Sequence, residues 1–201
     1  CGGQTQITYD GSRLESMTAD LSEHAQADSF AKNLCVVTGT ENEADASVTA
    51  EAAAVFGVDT KDVVFQKNPF ERLYPASITK IMTALIAIRD GDLNDTVTVG
   101  PEAVITETGA SLAHINPGDT LTMEQLLYGL MLPSGNDAGA AIAVHMAGST
   151  EAFAEKMNET AHALGATDTH FVNPHGLSDE NHYTTAYDLY LIFQEAMKYE
   201  E

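Results

Sequence analysis

The strongest constraint on the fold is the change of apolar period that begins at Pro75. Ile78, Ile81, Met82, Leu85, Ile86 and Ile88 recur at three- and four-residue intervals, which places them largely on one face of a helix. A proline near its start and Gly91 just past its end bound this helix at roughly 76–89. Four more helices follow by similar punctuation. Thr122 with Gln125 three residues on forms a capping box, and the stripe of Leu126, Leu127 and Leu130 stops before Pro133. A third helix runs from about Asp137 to Ala147 with Gly148 as its stop, and a fourth begins after Ser149 and ends at Gly165. The last starts at Thr185 and carries Leu189, Leu191, Ile192 and Phe193. Ahead of them, residues 53–58 and 63–66 flank Asp59-Thr60-Lys61-Asp62 as the two strands of a hairpin. Residues 34–38 read as a further short strand, followed by an acidic loop over 40–47. Residues 1–30 read as a polar tether ahead of one domain over 31–201. No period of 20–50 residues repeats, which excludes a solenoid.

Charge narrows the function classes. With 30 acidic against 9 basic residues the chain carries a net charge of −21, which excludes nucleic acid as a partner because that binding rests on neutralising phosphates with Lys and Arg. An apolar content of 44% places the acidity on a folded protein, not on a disordered tail. Apolar runs such as Ile86-Ala87-Ile88 fall far short of the ~20 residues that span a bilayer. Cys1 and Cys35 lack the spacing of a metal or redox motif, and a single bridge between them stays open. The sequence begins at Cys1 without an initiator Met, as a processed chain would. A Cys-Gly-Gly start running into polar residues fits a bacterial lipoprotein with its lipid on Cys1, and fits an arbitrary boundary equally well.

Ser77-Ile78-Thr79-Lys80 places a hydroxyl and an amine one turn apart, on one face, at a helix N-terminus. A serine hydroxyl needs an adjacent base to become a nucleophile. Lysine serves as that base only when its pKa falls from about 10.4 toward 7, which represents on the order of 4 kcal/mol and is within reach of burial in an apolar pocket. The free N–H groups of the helix end favour negative charge developing on the serine oxygen. Alone the pattern is weak: Ser29-Phe30-Ala31-Lys32 has the same spacing by chance, and a helix cap beside a surface lysine would look alike. Ser134-Gly135-Asn136 changes the weighing. It is the one S-x-N in the chain, set in a turn between two helices, where Ser134 can relay a proton and Asn136 can hold a substrate amide or orient the lysine. Taken by itself, that turn also reads as a helix link with an Asn cap.

Around these motifs the sequence resembles the serine-type D-Ala-D-Ala carboxypeptidases, low-molecular-weight penicillin-binding proteins of the SxxK superfamily shared with class A and C β-lactamases. The likeness runs from about Ala53 to the C-terminus. It includes Tyr74-Pro75-Ala76-Ser77-Ile78-Thr79-Lys80-Ile81-Met82-Thr83-Ala84, Gly129-Leu130-Met131-Leu132-Pro133-Ser134-Gly135-Asn136-Asp137-Ala138, Phe171-Val172-Asn173-Pro174-His175-Gly176-Leu177 and His182-Tyr183-Thr184-Thr185-Ala186-Tyr187-Asp188-Leu189. The resemblance implies an α/β fold of α+β type, with helices packed on an antiparallel sheet. It implies Ser77 as the acylated nucleophile, with its backbone N–H in the oxyanion hole, and Lys80 as general base. Ser134 would pass the proton to the departing D-alanine, and Asn136 would hold the peptide backbone and Lys80. The implied substrate is a peptidoglycan stem peptide ending in D-Ala-D-Ala, with β-lactams as covalent inhibitors, no cofactor, and a place outside the bacterial cytoplasmic membrane.

Two departures qualify that picture. A class A β-lactamase carries a loop Glu about 35 residues after S-x-N to activate the deacylating water, and residues 169–177 contain no carboxylate. Penicillin is therefore expected to inhibit and not to turn over. The family also needs K-T-G or K-S-G on a cleft strand, and none of the lysines at 32, 61, 67, 80, 156 and 198 begins one. The chain then reads as the N-terminal portion of a longer protein, with an incomplete sheet that a missing C-terminal segment or self-association would complete, and with weak or no penicillin labelling on its own. An inactive fragment that binds cell-wall peptide or a partner, and a β-lactamase or esterase of the same superfamily, remain the rival readings. His170, His175 and His182 match no zinc spacing and read as structural. The methionines at 82, 123, 131, 146 and 157 read as core, and Glu41, Glu43, Asp45 and Glu51 as a solvated acidic loop, not a Ca²⁺ site.

Overall fold

Strands β1 (Ala53–Phe56) and β2 (Val63–Lys67) pair antiparallel from Ala53 opposite Lys67 to Phe56 opposite Val63, with a bulge between Val55 and Phe56. β1 is shorter than the pattern suggests. Gly57 N–H donates to Asp62 O and Lys61 N–H to Gly57 O, both at 2.8 Å, so Val58 belongs to the closing turn. This computed structural model describes Cys35 and residues 48–199, all within the unit Cys35–Glu201. The expected tether over 1–30, the lipid site at Cys1, the Ser29/Lys32 pair, the acidic loop over 40–47 and the strand over 34–38, Cys35 apart, lie outside the described residues. Cys35 itself is a free buried thiol that donates to Tyr190 Oη at 3.1 Å, not half of a disulfide.

The helices follow in the expected order: α1 (Lys80–Asp90), α2 (Met123–Met131), α3 (Asn136–Ala147), α4 (Thr150–Ala163) and α5 (Ala186–Ala196). The capping box at Thr122 and Gln125 forms in both directions, Ser149 and Thr185 cap α4 and α5 through their hydroxyls, and Gly148 closes α3 at φ +84°. Between α1 and α2 lie two strands that the sequence pattern did not reveal, β3 (Thr96–Thr98) and β4 (Thr120–Thr122), paired antiparallel with Val97 opposite Leu121.

One expectation is corrected by the packing. α1 does not bury a single face: Lys80 and the unbroken run Met82–Ala87 are buried, because the helix sits at the centre and packs against α2, α3, α4 and α5. Thr83, Ala84 and Ala87 are small enough to let those neighbours approach where a longer side chain would hold them off. α3 is built likewise, with residues 136–143 all buried. Ala84, Ala87, Val97, Leu126, Leu130, Ala138 and Ile142 join these elements in one core. Met131, expected there, is 49% exposed at the end of α2. α5 docks on the β1–β2 sheet through aromatic contacts, Phe56 lying 4.4 Å from Tyr190 and edge-on to Tyr187 at 5.8 Å, centroid to centroid. None of the helices among the described residues is long and apolar enough to cross a membrane.

Candidate active site

Ser77 and Lys80 belong to one turn at the entrance to α1. Residues Ala76–Thr79 form a 3₁₀ turn that runs straight into the α-helix at Lys80. With three residues per turn, side chains three apart eclipse, so the hydroxyl and the amine stack: Lys80 Nζ lies 3.3 Å from Ser77 Oγ. Ser77 faces solvent, while Lys80 is only 2% exposed. Nζ also donates to Asn136 Oδ1 at 2.7 Å and to the carbonyl oxygen of His175 at 2.8 Å. Those two oxygens can only accept. A neutral amine spends its two N–H bonds on them and keeps its lone pair for the Ser77 hydroxyl. Burial pushes the Lys80 pKa down to about 8, against the opposing pull of the Asp137 carboxylate.

The second wall comes from the turn between α2 and α3. Gly135 is required there by space: a Cβ would lie 2.6 Å from Gly129 O and 2.8 Å from Ala113 N. Asn136 starts α3, its N–H donating to Ser111 O at 2.8 Å. Asp137, buried beside it, accepts from Ala113 N–H and Ala138 N–H on Oδ1 and from Ile115 N–H on Oδ2, fastening the 111–115 segment to the head of α3. Ser134 stands at φ +59° in the same turn, half-buried. Among the described residues no hydrogen bond joins it to Ser77 or Lys80, so the structure brings three of the four expected side chains into contact and leaves Ser134 in the adjoining turn.

The third wall is the segment 171–177, which the sequence reading left without a role. Asn173 Oδ1 accepts from Gly176 N–H at 2.7 Å and from His175 N–H at 3.3 Å, folding a tight loop that turns the His175 carbonyl toward Lys80. Thr83 Oγ1 donates to Pro174 O at 2.6 Å, tying the loop to α1. Gly176, at φ +89°, packs so closely on Ala76 that an added Cβ would sit 1.8 Å from its carbonyl oxygen. Ala76 itself is held at φ +49°, a left-handed conformation that non-glycine residues adopt only where their surroundings impose it. Beneath the turn, Thr79 Oγ1 lies 2.8 Å from His182 Nε2, both side chains buried. Burial lowers the pKa of His175 and of His182 to about 4, the Lys80 charge adding to the effect at His175. Among the described residues no group of three or more His, Cys, Asp or Glu side chains is placed to hold a metal ion.

The chain is similar to known proteins over the described region. The D-alanyl-D-alanine carboxypeptidase family matches residues 38–201. The D-alanyl-D-alanine carboxypeptidase DacF of Bacillus subtilis strain 168 is 40% identical over 154 residues, 75% of this chain and 40% of its own length. DacB2 of Mycobacterium tuberculosis H37Rv, a protein of the same description, is 42% identical over 150 residues, 74% of this chain and 50% of its own. Among solved structures, a serine-to-alanine mutant of the Streptomyces K15 DD-transpeptidase superposes with a TM-score of 0.73 at 33% identity, over 78% of this chain and 64% of that one. The chain thus spans about half the length, or less, of the curated relatives it matches.

Proposed function

Because the chain belongs to the D-alanyl-D-alanine carboxypeptidase family, we propose that it supplies the acylating site of a serine DD-carboxypeptidase acting on peptidoglycan stem peptides that end in D-Ala-D-Ala. The observation that carries the reading is the Lys80 amine held by Asn136 Oδ1 and the His175 carbonyl with its third contact on Ser77 Oγ. In this reading neutral Lys80 takes the Ser77 proton as Oγ attacks the carbonyl carbon of the penultimate D-Ala. The C–N bond of the tetrahedral intermediate then breaks, the terminal D-Ala nitrogen receives a proton by way of Ser134, and the acyl group remains on Ser77 Oγ. Water hydrolyses that ester and regenerates the hydroxyl. Asn136 serves twice, fixing the amine through Oδ1 and offering its amide N–H₂ to the peptide backbone of the substrate.

A β-lactam presents a strained amide to the same oxygen and leaves an ester. With no carboxylate in 169–177 to activate water, that ester should persist. The site then belongs on the outer side of the cytoplasmic membrane, where the polymer lies; an anchor on Cys1 is compatible with this place and untouched by the reading. The test is a fluorescent penicillin on the protein expressed at the full length of its gene, together with D-alanine release from a D-Ala-D-Ala peptide. Durable labelling and release, both abolished in Ser77→Ala, are expected. Rapid loss of label would indicate a β-lactamase, and absence of labelling an inactive peptide-binding protein.

A further inference from the structure

From the buried contact beneath the Ser77 turn we infer that His182 is a positioning residue: its imidazole clamps Thr79 to the 172–176 segment and thereby fixes the spacing of Ser77, Lys80 and the His175 carbonyl. The inference rests on the reading of Ser77 and Lys80 as nucleophile and base.

The ring makes two directed bonds. Its Nδ1 accepts the Val172 N–H at 3.1 Å, so that nitrogen carries no proton. The proton is then on Nε2, which donates to Thr79 Oγ1 at 2.8 Å. Both side chains are 1% exposed, and the residues are 103 apart in sequence, so the bond ties two distant parts of the chain where water cannot substitute for it. Its position gives it leverage. In a 3₁₀ turn the side chains of Ser77 and Lys80 eclipse while Thr79 projects elsewhere, so holding Thr79 sets the rotation of the whole turn about its axis. On its other side the ring holds Val172, three residues ahead of the carbonyl that accepts Lys80 Nζ at 2.8 Å. One imidazole therefore fixes both the turn that carries the nucleophile and the loop that orients the base.

Protonation of Nδ1 would set two donors, the ring and the Val172 N–H, against each other. Burial opposes it most, Asp179 pulls the other way, and the neighbouring His170 opposes it by a smaller amount; the ring's pKa lies near 4 and it stays neutral at the pH of catalysis. The groups that face Lys80 itself are Ser77 on its own turn, Asp137 at the head of α3 and His175 in the loop. Slackening the clamp lets water reach the amine, and a better-solvated amine has a higher pKa.

The experiment compares wild-type, Thr79→Val, His182→Phe, the double variant and His182→Gln proteins, each expressed at the full length of the gene. It reads penicillin acylation rates against pH, far below each Tm, together with Tm and the ¹⁵N shifts of the histidine rings. Thr79→Val removes the hydroxyl and keeps the shape; Gln offers a donor and an acceptor in place of the ring nitrogens. Acylation should slow about tenfold or more in Thr79→Val and His182→Phe, with the rising limb of the pH profile moved to higher pH, and the double variant should lose little beyond either single one. His182→Gln should return to within about threefold of wild type. The ring signature should show a neutral His182 protonated on Nε2. Wild-type rates and limb in Thr79→Val with a loss confined to Tm would overturn the clamp, as would a proton on Nδ1. A wild-type protein that takes up no penicillin fails the peptidase reading instead, and the clamp then stands or falls on the ring tautomer and on the coupling of the two variants in Tm.

Discussion

In the proposed reaction, lysine at position 80 acts as a base only to the extent that it is neutral. With its pKa near 8, roughly one molecule in ten carries the free amine at pH 7 and nine in ten at pH 9. Acylation of Ser77 should therefore rise about tenfold between those two values and level off above them. Rates of penicillin acylation from pH 6 to 10 check this, and a plateau already reached below pH 7 would contradict it. Asn136→Asp places a carboxylate where the amide oxygen now lies, 2.7 Å from Nζ. An opposite charge favours the ammonium, so the rising limb should move alkaline by about one pH unit or more. Gly176→Ala tests the other wall. The positive φ strains any L-residue, and the new Cβ meets the Ala76 carbonyl, so a loss of roughly 3 kcal/mol in urea unfolding and a slowed acylation are both expected. The meeting of Ser77, Lys80 and Asn136 was legible because it involves side chains at recognisable spacings. The third partner of Lys80 was not: it is a backbone carbonyl, and every residue has one. The strained φ of Ala76 and the roles of Asp137 and His182 escaped for a related reason, since each depends on contacts far apart in sequence.

The elements repeat that contrast at larger size. Four of the five helix starts could be placed to within a residue or two because capping hydroxyls and breaking residues act locally. The fifth, α1, begins as a 3₁₀ turn, a distinction that apolar periodicity does not carry. β3 and β4 have three residues each and end in threonines, too few for an alternation to register, and they owe their pairing to the burial of Val97 beneath them. The all-round burial of α1 was hidden because Ala and Thr read as neutral in a periodicity count, while in the fold their small size is what admits the neighbouring helices. A cap is also where an element can be tested without touching the site. Thr122→Ala removes the acceptor for Gln125 N–H at 3.1 Å and leaves in place the return bond from the backbone N–H of residue 122 to Gln125 Oε1 at 2.9 Å. It should lower stability by about 1 kcal/mol in urea unfolding and leave the pH limb of acylation where it was. A shift of that limb would mean that the α2–α3 turn responds to a change a full helix away.

For the molecule as a whole, the net charge of −21 sets a condition on stability that no local contact reveals. A chain so acidic repels itself in the folded state, and screening relieves that repulsion more than it weakens the ion pairs. Among the described residues, the Lys and Arg pairs include the largely exposed Arg72 with Asp168 and Lys198 with Glu195, and the partly buried Asp90 shared between Arg89 and Lys156. Exposed pairs of this kind contribute about 0–1 kcal/mol each, so their loss to screening is small. Raising NaCl from about 20 to 500 mM at pH 7.5 should then increase Tm, by roughly 2–4 °C for each kcal/mol gained at this chain length. The increment should shrink toward pH 5, where the net charge approaches zero near the pI of 4.4. Absolute Tm will fall over that range for a separate reason. His175 and His182 have folded pKa values near 4, below the ordinary 6.5, so the unfolded chain takes up their protons first and stability drops as pH passes from about 6.5 to 4. That loss is common to both salt concentrations and cancels in the difference. A salt increment that is negative at pH 7.5, or that fails to shrink by pH 5, would mean that the ion pairs and not the net charge govern the stability of this molecule.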